Sequence, residues 1–122
     1  MDLPTSCNLV VLVGTIVNGV ASRPSPEHPE FVTFDVAARP AEGGPAARVP
    51  VAWFAPDWAQ VARLGPGDRV VVVGEVRRRF FSADGRRGSL TEVIADEVVP
   101  ARQVKRALGA VRAALGGLDV AA

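Results

Sequence analysis

The sequence predicts an all-β barrel of five strands with one short helix between the third and fourth strands and an amphipathic helix at the end. Three observations lead there. The 122 residues are 48% hydrophobic and 22% charged, enough apolar material for a single compact core. Twelve Gly and ten Pro punctuate the chain into short segments. Most of those segments are rich in Val, and the second and third alternate with the period of two that a half-buried strand shows. The expected organisation is a barrel over residues 1–100 and a terminal helix with a short tail over 101–122.

Asn8 to Val17 (NLVVLVGTIV) reads as a long first strand, with Gly14 where it can bend and Asn18-Gly19 as a turn signal behind it. Ala21 to Glu30 holds Pro24, Pro26 and Pro29, which deny it regular pairing, so it reads as a loop. Phe31 to Ala38 alternates cleanly: Val32, Phe34, Val36 and Ala38 share one face, and Phe31, Thr33, Asp35 and Ala37 share the other. After a second loop, Pro40 to Ala47, the segment Arg48 to Ala55 sets Val49, Val51 and Trp53 against Arg48, Pro50, Ala52 and Phe54.

Pro56-Asp57 suits a helix start, Trp58, Val61 and Ala62 fall on one helical face, and Gly65-Pro66-Gly67-Asp68 ends the helix. Arg69 to Phe81 is a fourth strand interrupted by Gly74. Ser82 to Gly88 contains an Asp-Gly turn, and Ser89 to Val99 is the fifth strand. From Ala101 to Leu115, Val104, Leu108, Val111 and Leu115 recur at three- and four-residue spacing, which predicts a helix whose stripe packs on the barrel or on a second copy. The order strand, strand, strand, helix, strand, strand, with glycines inside the first and fourth strands, is that of an OB-fold, a Greek-key barrel.

Charge position says more than net charge. Through Pro100 there are ten Arg against twelve Asp and Glu, a net of −2, and the last 22 residues carry +3, which together give the overall +1. Within the neutral barrel, Arg77, Arg78, Arg79, Arg86 and Arg87 crowd around Phe80 and Phe81 with Asp84 as their only acidic neighbour. Alternation places Arg77, Arg79 and Phe81 on one side of the fourth strand and Val76, Arg78 and Phe80 on the other, the side expected to look inward. Phe54, on the less apolar face of the third strand, is the second ring expected outside. Single nucleic-acid strands offer unstacked bases to such rings, for about 1–3 kcal/mol per base, while Arg neutralises phosphate and can itself stack. The same residues also fit an ordinary barrel with a solvated hairpin, and spacing alone does not choose between the two.

Catalysis is not expected. His28 is the only histidine and sits among prolines, and Cys7, expected to be a small buried thiol, has no histidine near it in sequence. These cannot build a zinc site, no GxxxxGK phosphate loop is present, and no cofactor is expected. The apolar stretch Leu9 to Val17 follows no basic segment and is broken by Gly14 and Thr15, so neither a signal peptide nor a membrane span is expected. One cysteine cannot form an internal disulfide, which fits a reducing, cytoplasmic setting.

From Asn8 to Val99, about three quarters of the chain, the sequence resembles the DNA-binding domain of the bacterial single-stranded DNA-binding proteins. Asn8 to Gly14 (NLVVLVG) is similar to that family's first strand, Phe31 to Ala37 (FVTFDVA) to its second, and Val51 to Phe54 (VAWF) to its third. Gly67 to Arg79 (GDRVVVVGEVRRR), Asp84-Gly85 and Thr91 to Asp96 (TEVIAD) resemble its long hairpin. The resemblance implies stacking roles for Phe54 and Phe81, both also chosen by alternation, and single-stranded DNA as partner. Arg77, Arg79, Arg86 and Arg87 are expected along the backbone track, with Arg48 and Arg39 as weaker choices.

The sequence departs from the family where Arg48 replaces a frequent Trp and Pro50 a basic or polar residue, and fewer platforms imply weaker binding. The family's Gly- and Pro-rich tail with an acidic tip is replaced by a chain ending GLDVAA, so recruitment of repair proteins through such a tip is not expected. The resemblance further implies homo-oligomers, a tetramer or dimer, and a place in DNA replication, recombination or repair. The rival expectation is an OB-fold interaction module or accessory subunit with weak or no DNA affinity.

Overall fold

The computed structural model describes residues 4–22 and 30–117. Seven elements follow in the order β1 (Val10–Ser22), β2 (Phe31–Ala38), β3 (Ala47–Phe54), α1 (Trp58–Val61), β4 (Arg69–Ala83), β5 (Arg86–Pro100) and α2 (Val104–Gly116). The strands close into a barrel in the order β1-β2-β3-β5-β4. All pairs are antiparallel except β3 with β5, whose parallel contact from Val51–Val93 to Trp53–Ala95 completes the closure expected of an OB-fold.

The inward-facing alternate residues of the strands form the main core, with Ile16, Val32, Phe34, Val36, Val51, Trp53, Val70, Val72, Val93, Ala95 and Val98 all buried. A β-branched side chain loses little rotamer freedom on a pleated surface, which suits a Val-rich core to a strongly curved sheet. At Gly74, where the β4–β5 register shifts, the backbone of β5 comes so close that a Cβ would collide with the Ile94 carbonyl oxygen. The strands can approach there only without a side chain.

A second, smaller core lies on the outside of the barrel. Val71, Val73 and Val99 point away from the main core and are covered by α2 through Ala107 and Ala110, with Leu9, Val11, Val111 and Ala114 packed around them. Beyond β1's pairing with Gly74, the Asn8 side-chain amide donates to the Val76 carbonyl (2.7 Å) and accepts from the Val76 N–H (2.9 Å). It therefore does for β4 what one more residue of strand would do.

Several expectations change. Asn18-Gly19 does not end β1; both residues take positive φ (72° and 97°) inside a register shift between Val17 and Ala21, and the strand continues to Ser22. The central segment of the expected loop, residues 23–29 with His28, lies outside the described residues. The hairpin is tighter than expected: β4 runs to Ala83, β5 starts at Arg86, and Asp84-Gly85 (φ 51° and 74°) form a two-residue turn. Cys7 is exposed, not buried.

Helix α1 is capped by the Asp57 carboxylate, which accepts from the Ala59 and Gln60 amides, and it turns Gln60 inward while Trp58 stays exposed. Its four residues are too few to bury the whole expected face, and Val61 and Leu64 make the contact with the core. On α2 the expected stripe is mostly on the wrong side. Ala107 and Ala110 face the barrel, Val111 packs at the edge, and Val104, Leu108 and Leu115 are exposed. Small side chains let the helix approach the Val71–Val73–Val99 surface more closely than leucines would.

Candidate nucleic-acid interface

The β4–β5 ribbon outgrows the barrel. Beyond Gly74 its strands keep their pairing from Glu75–Ile94 to Ala83–Arg86, yet from Val76 to Ala83 every residue of β4 is exposed. Val76 and Phe80 do share the inward phase, as alternation requires, but the barrel has ended beneath them. Val76 is consequently exposed, and Phe80, expected inside, is 74% exposed. The Arg78 guanidinium lies 5.3 Å from the Phe80 ring centre and covers one side of it.

On the opposite side of the ribbon, Phe81, Arg79 and Arg77 face Gly88, Leu90 and Glu92 across the ladder. Gly88 fixes the attitude of Phe81: a Cβ there would lie 2.7 Å from the end of the Phe81 ring, so the ring rests on bare backbone. Phe81 remains 45% exposed. A shallow hollow formed with Phe80, Ser82, Arg87 and Gly88 surrounds it. Arg86 and Arg87 flank the turn, and neither has a carboxylate partner among the described residues.

Toward the barrel this side opens into a groove of about 860 Å³ lined by Phe31, Thr33, Asp35, Arg48, Arg79 and Glu92 among others. The β2–β3 register sets Phe31 directly opposite Phe54, and their rings stack at 5.0 Å between centres with 28° between planes. Two charge pairs line the groove walls. Arg48 Nε donates to Asp35 Oδ2 at 2.9 Å, and Arg79 Nε donates to Glu92 Oε1 at 3.2 Å, with Glu92 only 5% exposed. Arg77 donates to Glu75 at 2.7 Å.

The structure therefore brings Arg48 and Arg79 to one groove, stacks Phe54 on the groove residue Phe31, and sets Phe81, Arg77, Arg86 and Arg87 along the ribbon that leads from it. Arg39 is not among the groove residues, and its guanidinium holds the β2–β3 loop by donating to the Gly44 carbonyl at 2.8 Å. Sequence reasoning missed Phe31, Phe80 and Glu92. Phe31 was signalled by its place on the outer face of β2, whereas the other two depend on where the barrel ends.

Flat rings with free area stack bases, and unpaired guanidinium groups on a projecting ribbon attract phosphate. Among the described residues no group of three or more His, Cys, Asp or Glu could hold a metal ion. No helix among them is long and apolar enough to cross a membrane.

No protein-family model and no curated protein matches the sequence. Among solved structures, the chain is similar in fold to a single-stranded DNA-binding protein of Plasmodium falciparum described in complex with single-stranded DNA. The TM-score is 0.65 at 16% identity, covering 82% of this chain and 98% of the other. At that identity the likeness supports an OB-fold of the kind found in single-stranded DNA-binding proteins.

Proposed function

We propose that this chain binds single-stranded DNA, without catalysis, by stacking bases on Phe81 and on the Phe31–Phe54 pair while Arg86 and Arg87 follow the phosphates. The observation that carries this reading is the Phe81 ring set over Gly88, exposed and flanked by cations on a ribbon that projects from the barrel. A ring kept at the surface by a glycine opposite it contributes little to the core and much to a planar ligand. The fold's likeness to a protein described with single-stranded DNA supports the same reading. Stacking and phosphate contacts tolerate any base, so neither contributes sequence preference. The setting that follows is the cytoplasm, in replication, recombination or repair.

Binding of a fluorescent oligothymidine, with a duplex of equal length as control, tests the proposal. Single-strand-selective binding that weakens with salt and loses about 5- to 100-fold in Phe81→Ala is expected. No binding at low salt overturns it. One observation favours a rival, a protein-interaction module: Arg48, Arg77 and Arg79 are each tied to a carboxylate, which lowers the attraction for phosphate. Such a module would bind its partner without dependence on Phe81. Self-association is also part of the proposal, supported by the exposed Val104, Leu108 and Leu115 on α2, and light scattering measures it.

A further inference from the structure

We infer that the groove selects bases that carry an amino group over thymine and uracil. The inference rests on the single-strand reading and adds to it a preference located at two charge pairs. Both pairs are single-point contacts made by Nε: Arg79 to Glu92 Oε1 and Arg48 to Asp35 Oδ2. Each arginine thus keeps its four Nη hydrogens, and each carboxylate keeps an oxygen with no partner among the described residues. Glu92 is nearly buried, yet among the described residues the only buried side-chain nitrogen or oxygen without a hydrogen bond is Gln60 Oε1. The second oxygen of Glu92 therefore still reaches solvent, and the opening available to it is the groove that it lines.

Each pair accordingly presents an acceptor beside a set of donors. The Watson–Crick edge of cytosine reads donor, acceptor, acceptor from its 4-amino group through N3 to O2, which complements a carboxylate followed by a guanidinium. Adenine offers the same amino donor and ring acceptor, and guanine offers the reverse order, with two N–H groups for the carboxylate and O6 for the arginine. Thymine and uracil read acceptor, donor, acceptor, so a carboxylate that takes the central N–H is left facing a carbonyl oxygen. A surface whose cations are matched by anions draws phosphate weakly, which favours bases rather than backbone in the groove. Phe31, backed by its stack on Phe54, lines the groove and offers a ring to them.

Oligodeoxycytidine and oligodeoxyuridine of equal length, in mildly alkaline buffer where cytosine is neutral, differ only in this edge. The full chain should bind the cytidine strand about fivefold or more tightly, the low end of what one base-edge contact supplies. That preference should fall toward parity in Glu92→Gln and in Asp35→Asn, with folding checked by circular dichroism. If Glu92→Gln fails to fold, the exposed pair at Asp35 carries the test. Equal affinity for the two strands, with Phe81→Ala still weakening both, overturns this inference and leaves the single-strand reading standing. A preference unchanged in both variants overturns its assignment to these pairs. Absence of binding to either strand overturns the reading itself, and the inference with it.

Discussion

The lower and upper halves of the β4–β5 ribbon are made by the same two strands in one continuous ladder, yet they differ in almost everything else. Below Gly74, Val70, Val72 and Val98 face the main core, while Val71, Val73 and Val99 face α2, so both sides of the ribbon are covered. Above it, the outward side carries Arg77, Arg79 and Phe81, the other side carries Arg78 and Phe80, and on β4 every residue from Val76 onward is exposed. Backbone pairing alone is worth little net free energy in water, so the upper half depends on its Asp84-Gly85 turn and on its rigid base. On β4, stability resides where both faces are packed, and the capacity to bind resides where neither is.

The sharpest way to break this comparison is at the junction. Gly74→Val would drive a branched side chain into the Ile94 carbonyl, which belongs to the backbone of the neighbouring strand and cannot rotate away. We expect a loss of about 3 kcal/mol, the upper end for overpacking, read as a lower urea midpoint with an unchanged slope. Destabilisation below about 0.5 kcal/mol would show that the ribbon is not locked to the barrel there.

A smaller effect of the opposite kind is expected at Gly88→Val. Its Cβ would displace the Phe81 ring, and the ring, being exposed, can swing away at little cost to folding. Affinity for a single strand should therefore fall by about 1–2 kcal/mol, within the range for one stacked base, while the urea midpoint stays within the scatter of surface substitutions. An unchanged affinity would mean that the placement of Phe81 over Gly88 has no part in binding.

These two sites also show how far the sequence could be read. Alternation assigned Val32, Phe34, Val36, Val51 and Trp53 to the core and put Phe54, Phe81, Arg77 and Arg79 on the outer side, because each such assignment depends only on the period of a strand. It failed for Val76 and Phe80, whose phase was right but whose burial depends on whether another element lies opposite, a property of the whole barrel. On α2 the large residues marked an apolar stripe, but docking was decided by Ala107 and Ala110, since close approach to a sheet favours small side chains. The Phe31–Phe54 stack needed the β2–β3 register, which a loop of uncertain length leaves open, and the Arg79–Glu92 pair needed the diagonal relation across β4 and β5.

The smallest effect expected separates two kinds of arginine on the upper half. Arg77 and Arg79 are tied to Glu75 and Glu92, whereas Arg86 and Arg87 beside the turn have no carboxylate partner among the described residues. A cation already neutralised by a neighbour displaces few of the counterions condensed on the strand, while an unpaired one displaces its full share. Salt dependence therefore distinguishes them better than affinity does. Arg86→Ala combined with Arg87→Ala should reduce the slope of log K against log salt by about 1.4, two phosphate contacts at about 0.7 each for a single strand. Arg77→Ala combined with Arg79→Ala should change it by less than half as much, even where the affinity loss is similar. Equal slopes for the two double variants would show that the ion pairs open on binding, and the phosphate track would then run the whole length of the ribbon.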